Sequence, residues 1–228
     1  MLCYNKNVFN NQERYYSMKK LIASVLAISC CVMGNYAAAD DEIKLPMHNL
    51  KDNVSLKTAL EKRKTSRVFS RENLSTLDIS NLLWAGYGIN RSNGKRTVPV
   101  ARGVYAVEIY VALPDGVYYH NLNANTLKKI TDKDMRAESD GRKMGAKAPV
   151  VIVMVADSDA FDGKGDHYIA MEAGAIMQNL YLYCAAYDLN TVVCGSFKKD
   201  LWAKELKLPK NKYVILTQVV GCPLRKNK

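Results

Sequence analysis

The sequence predicts an α+β or α/β domain whose sheet is not purely parallel. Strand-like and helix-like segments alternate along the chain. Pro114-Asp115-Gly116 separates two short runs rich in apolar and aromatic residues, 105–113 and 117–120, and so marks a hairpin. Residues 149–156 form a continuous Val-rich apolar run, the pattern of a strand buried on both faces. No GxGxxG fingerprint and no Walker loop occurs, which argues against a doubly wound nucleotide fold.

The first forty residues stand apart from this domain. Met18-Lys19-Lys20 opens a positive region, 21–33 is apolar, and Ala37-Ala38-Ala39 precedes Asp40 as a small-residue cleavage site. That is the tripartite pattern of a secretory signal peptide over 18–39. The apolar run is too short to span a bilayer. Residues 1–17 do not belong to the pattern and read as an upstream extension. The expected mature chain is exported, to the periplasm, and carries no transmembrane helix. Four cations and one anion leave with 1–39, so the net charge falls from +11 to +8.

The mature elements follow in order. Residues 40–52 form an extended lead-in broken by Pro46, and 53–228 form one domain. Ser55 caps a short helix over 56–64, with Val54, Leu56, Ala59 and Leu60 as its apolar side. Ser75-Thr76-Leu77-Asp78 is a capping box with Asp in the Glu position. It opens a second helix through Tyr87, with Leu82, Leu83 and Tyr87 on one side, and Gly88 stops it. Residues 90–103 are polar, carry Gly94, Pro99 and Gly103, and form a loop of a length that often serves function. The hairpin follows. Residues 121–147 are polar and irregular, with a short helix expected near 131–137.

After the 149–156 strand comes a long helix over 166–187. It is apolar nearly all round, with Glu172, Gln178 and Asn179 as its strong polar exceptions, so it is a buried helix. Ala173-Gly174-Ala175 allows a second backbone to come close. Residues 191–193 form a short strand ending in Cys194-Gly195-Ser196-Phe197. A helix over 199–206, Pro209 and a strand over 213–220 complete the domain.

The densest chemistry lies in Glu61-Lys62-Arg63-Lys64-Thr65-Ser66-Arg67-Val68-Phe69. Guanidinium forks, ammonium groups and hydroxyls in one short stretch suit a phosphate. The competing reading is a cationic helix end favoured by the helix dipole. Elsewhere the cations are spread out, and no motif supports nucleic-acid binding. Of the cysteines, Cys184, Cys194 and Cys222 stay in the mature chain. Their odd number argues against a full disulfide framework, and they lack metal-ligand spacing with His48, His120 and His167. Each lies in an apolar run, so buried thiols are expected. A thiol-redox protein using Cys184 and Cys194 lacks a Cys-x-x-Cys motif.

Several stretches together resemble the nitroreductase superfamily of flavin mononucleotide enzymes, and within it the azoline-forming-peptide dehydrogenase (SagB-type) branch. Arg63-Lys64-Thr65-Ser66-Arg67-Val68-Phe69 is similar to the family's Arg-x-Ser-x-Arg-x-Phe opening motif. Leu83-Trp84-Ala85-Gly86-Tyr87-Gly88-Ile89-Asn90-Arg91 is similar to its LLWAAxGINR stretch, and Arg96-Thr97-Val98-Pro99-Val100-Ala101 to its RTAPSA loop. Val107-Glu108-Ile109-Tyr110-Val111, Ala148-Pro149-Val150, Met171-Glu172-Ala173-Gly174 and Val219-Val220-Gly221-Cys222-Pro223 follow in the family's order. The resemblance covers about residues 53–225.

It implies an α+β fold with a mixed, mostly antiparallel sheet flanked by helices, and an intertwined homodimer with FMN between subunits. Arg63, Lys64, Thr65 and Arg67 are implied to hold the phosphate, with Arg67 reaching alternatively to the ring edge. Pro99, Val100, Ala101 and Gly103 are implied to approach from the other subunit. Cys194, Gly195 and Ser196 are implied to lie along the ring, and Arg225 to close over the phosphate. No side chain is implied as catalytic acid, base or nucleophile, because the chemistry belongs to the flavin. NAD(P)H is one donor the resemblance allows; for an exported chain, where nicotinamide is scarce, a membrane or protein partner is the other. The acceptor is a nitro or quinone-like compound or a peptide-derived substrate. The sequence departs from the family pattern at Thr65 for Ser, at Val100 for the loop Ser, and at Cys194 where some members carry Glu. The first keeps the hydroxyl; the last two motivate an alternative, a secreted flavin-free binding protein on the same scaffold.

Overall fold

A computed structural model describes residues 41–51 and 54–224. The expected extension 1–17, the leader 18–39 and Arg225 lie outside the described residues. The elements are β1 (Glu42–Lys44), α1 (Leu56–Lys62), α2 (Thr76–Tyr87), β2 (Val107–Leu113), β3 (Gly116–Asn121), β4 (Thr126–Thr131), β5 (Val150–Asp157), α3 (Asp166–Ala186), β6 (Asn190–Cys194), α4 (Lys199–Glu205) and β7 (Lys212–Gly221). The strands form one seven-stranded sheet in the order β1-β4-β3-β2-β5-β7-β6. Every pairing in it is antiparallel, at the antiparallel limit of the mostly antiparallel sheet expected.

β5 organises the molecule. Ile152 and Met154 enter one core, with Leu82 and Leu83 of α2 and Ile169, Ile176 and Leu180 of α3. Val151, Val153 and Val155 enter a second core, with Met135, with Val214 and Val219 of β7, and with Trp202 of α4. A strand buried on both faces gains about 1.5–3 kcal/mol per large apolar side chain removed from water. That gain is why so apolar a run takes the centre of the sheet and not its edge. The second core seats β6 as well, through Val192 and Cys194.

The helix caps follow the sequence. Ser55 accepts from the Thr58 amide, and the Ser75–Asp78 capping box closes in both directions. Three expectations change. First, α1 ends at Lys62 and turns only Ala59 inward, while Leu56 and Leu60 face outward. An apolar stripe alone does not say what covers it. Second, the polar stretch 121–147 contains strand β4, held between β1 and β3. Its Thr126 and Leu127 are buried and Lys128 is exposed, so the pattern reads as polar. Third, the helix expected near 131–137 is a single 3₁₀ turn at Arg136–Glu138. Asp134 holds Arg136 through its backbone amide and two guanidinium nitrogens, which favours a local turn over a continuing helix. No described helix is long and apolar enough to cross a membrane.

Candidate functional site

Arg63 leaves helical geometry at the end of α1, with φ −56° and ψ 117°. The helix dipole therefore accounts for Lys62, in the last turn, and not for the cations beyond it. Residues 63–70 run extended beside the sheet edge. The Ser66 amide donates to Thr191 of β6 at 2.9 Å, and Asn190 donates to the Val68 carbonyl at 2.7 Å. The Ser70 amide donates to the Cys222 carbonyl at 2.9 Å. The buried ring of Phe69 pins the far end. This fixes the motif backbone and leaves its cations outside the hydrogen-bonded ladder.

Tyr181 of α3 connects the motif to β6. Its hydroxyl accepts from the Val193 amide at 3.1 Å and lies 3.0 Å from Thr65 Oγ1. The Arg63 guanidinium sits over the Tyr181 ring, 5.3 Å from its centroid. Nothing in the sequence singles out Tyr181, since it lies in an apolar helix and acts only through the fold.

Three arginines are held by partners within the fold. Arg136 is engaged by Asp134 and the Ala148 carbonyl, and Arg91 by Asn90 and the Arg96 carbonyl. Arg96 lies between the rings of Tyr87 and Tyr105, at 4.2 and 4.0 Å. By contrast, the side chains of Arg63, Arg67 and Arg142 make no hydrogen bond or ion pair among the described residues. Exposed arginines are often unpaired, but these three flank or line cavities beside β6.

Two cavities follow one another along β6. One, of about 430 Å³, is lined by Lys64, Tyr181, Cys184, Asn190 and Thr191 among others. The other, of about 440 Å³, joins Arg67 and 192–196 to Asp140, Gly141, Arg142 and Met144. The structure thus brings Arg67, Cys194, Gly195 and Ser196 together, and places Arg63, Lys64 and Thr65 on the Tyr181 side. Pro99, Val100 and Gly103 line a separate groove of about 420 Å³ with Arg91 and Tyr105. Ala101 begins the 3₁₀ turn of that loop, and Arg102 within it holds a left-handed φ of 54°. Such conformations cost of order 1–3 kcal/mol and collect at functional sites.

A buried polar unit sets the loop's position. Glu172 of α3, 2% exposed, accepts from the Tyr87 hydroxyl and, at 3.0 Å, from the Ala106 amide. Burial raises its carboxyl above the usual range, against the hydrogen bond from Tyr87. The Tyr105 hydroxyl accepts from the Arg96 amide at 3.0 Å. Trp84 stacks on His48 at 4.0 Å and donates to the Ile89 carbonyl, so it packs the lead-in against α2. Tyr118 and Tyr119 take strand-packing roles. The Tyr118 hydroxyl donates to Asp115, and Tyr119 meets Tyr110 edge to face.

Burial pushes the Cys194 thiol up to about 11, with Asp140 acting in the same direction and Arg67 opposing it. Cys184 is pushed up to about 12 by burial. Neither is a thiolate at neutral pH, so the thiol-redox reading finds no reactive group at these positions.

A sequence model of the Nitroreductase family matches residues 60–222. The chain belongs to the nitroreductase family. It is 29% identical over 194 residues to a presumed nitroreductase of Methanocaldococcus jannaschii, covering 79% of this chain and 96% of that one. The crystal structure of a presumed nitroreductase from Ralstonia eutropha superposes with a TM-score of 0.77 at 31% identity, covering 83% of this chain and 92% of that one. A chain of the E. coli microcin synthetase McbBCD complex, with truncated pro-MccB17 bound, shares the fold with a TM-score of 0.60 at 17% identity, covering 82% and 78%. The family is one of oxidoreductases, and this chain is an enzyme of that class. The flavin-free binding-protein alternative gains nothing from these relatives.

Proposed function

We propose that this nitroreductase-family enzyme binds FMN through Arg63, Lys64, Thr65 and Arg67 and reduces a small nitro or quinone-like acceptor. One observation carries the reading: unpaired guanidinium groups flank a threonine hydroxyl on a backbone fixed to β6. When Tyr181 donates to Thr65, the threonine proton stays available for a phosphate oxygen. Each charge-assisted hydrogen bond is worth about 1.5–3 kcal/mol before ordering costs. Arg63 and Lys64 suit the phosphate. Arg67, in the cavity with Cys194–Ser196, suits the ring edge, where a cation favours negative charge. When bound, the flavin supplies hydride transfer through its N5 atom. The residues of this chain bind it, orient it and shape the space beside it; none is assigned a proton transfer.

The 99–103 loop lies in a groove apart from this motif. That separation supports a homodimer in which the loop of a second copy completes the site. Val100 in place of Ser leaves that loop one donor short. A second reading, oxidation of a peptide-derived substrate, is favoured by the 83–91 and 96–101 stretches that resemble the peptide-dehydrogenase branch.

The decisive experiment is reconstitution. Purified protein with excess FMN is expected to turn yellow and hold flavin through gel filtration. Arg63→Ala with Arg67→Ala is expected to weaken FMN at least about 100-fold with unchanged circular dichroism. Full flavin occupancy in the double variant would end the assignment. Turnover with NADH and NADPH, measured on nitro, quinone and azoline compounds, then separates the two readings.

A further inference from the structure

The flavin reading leaves one cation of the 440 Å³ cavity without a role. Arg142 lines that cavity together with the Cys194–Ser196 stretch. Its guanidinium makes no hydrogen bond or ion pair among the described residues. Its backbone, by contrast, is held closely. One Asp140 carboxylate oxygen accepts from the Arg142 amide at 2.8 Å and the Met144 amide at 3.0 Å, and the other accepts from the Gly145 amide at 2.9 Å. Thr217 of β7 donates to the Ser139 carbonyl at 2.5 Å and ties the turn to the sheet. A Cβ at position 145 would strike the Arg136 carbonyl and the Ser139 hydroxyl, so only glycine closes the turn.

The acid in this lining does not neutralise the arginine by contact. Asp140 is buried, and both its oxygens are occupied by backbone amides. Arg67 adds a second cation to the lining of the same cavity. Cys194, its thiol neutral, adds no negative charge. A cavity whose walls carry two unpaired guanidinium groups and one internally saturated carboxylate favours an anion. The planar fork of Arg142 matches an oxyanion in two-point geometry.

We propose that this cavity takes the oxyanion-bearing end of the acceptor, a carboxylate or a phosphonate-like group, with Arg142 determining specificity. The proposal rests on the flavin reading, which assigns Arg67 to the cofactor and leaves Arg142 for the substrate. Asp140 is a positioning residue in this scheme.

The test is calorimetric titration of FMN-saturated protein with three matched ligands: 4-nitrobenzoate, 4-nitrophenylphosphonate and neutral 4-nitrobenzamide. The native protein is expected to prefer one or both anions over the amide by about tenfold or more. The better anion identifies the group recognised. Arg142→Ala is expected to abolish that preference, leave 4-nitrobenzamide binding within about twofold, and keep full flavin absorbance; Arg142→Lys is expected to recover part of the preference. Raising the salt concentration is expected to narrow the anion preference of the native protein. Equal native binding of all three ligands, or an equal loss for all three in Arg142→Ala with flavin retained, overturns this inference alone. A native protein that takes up no FMN overturns the flavin reading and the inference with it.

Discussion

Single residues already set how this enzyme responds to acid. His120 on β3 is buried, and burial together with the nearby Arg96 charge lowers its pKa from 6.5 to about 4. The folded state therefore refuses a proton that the unfolded chain accepts. Between these two values the unfolded state binds more protons, so stability falls as pH drops through the window. The loss by about pH 4.5 is of order 2–3 kcal/mol. His120→Gln removes the titration while keeping a polar side chain. Urea unfolding at about pH 7 and about pH 4.5 is expected to show a smaller acid loss in the variant than in the native protein, by that amount. Carboxylates titrate in both proteins and cancel in the comparison. Equal acid losses would show that His120 is not held neutral in the fold. Glu172 is a different case, because burial raises its carboxyl while hydrogen bonds from Tyr87 and Ala106 act in the opposite direction.

At the scale of elements, what the sequence made legible depended on whether a signal was local. The Ser75–Asp78 box is local chemistry: two residues, three apart, each satisfying the other's backbone amide. It was readable for that reason. Ser75→Ala is expected to cost about 1 kcal/mol, seen as a lower urea midpoint with an unchanged denaturant slope. No shift in the midpoint would mean that tertiary packing alone holds the start of α2. β5 was readable because its burial on both faces leaves no polar position to confuse the pattern. β4 was not, because one of its two partners, β1, lies far away in sequence and Lys128 faces solvent. The opening motif of the site was readable as a density of donors between residues 63 and 67. Tyr181 and the Asp140–Gly145 turn were not, since each joins the site only through packing of α3 or β7 against it.

Over the whole molecule, exposed apolar side chains bear on assembly. Leu60 of α1 is 53% exposed and Met171 of α3 is 69% exposed, and these two helices pack on one another. Leu56 and Val68 are exposed as well, and an ideal Cβ at Gly174 of α3 meets nothing within 4 Å. Large apolar side chains left in water on adjoining elements forfeit about 1.5–3 kcal/mol each, a gain that a second copy can recover. A stable interface needs roughly 1,200–2,000 Å² in total. Such an interface fits the flavin reading, which requires the 99–103 loop from another chain. Leu60→Glu with Met171→Glu places two charges in that surface without disturbing either core. Light scattering is expected to give a dimer for the native protein and a monomer for the double variant, with circular dichroism unchanged. Flavin is expected to dissociate together with the dimer, because half of each site leaves with the partner. A double variant that remains dimeric would move the interface elsewhere, and a monomer that keeps its flavin would mean that one chain suffices to build the site.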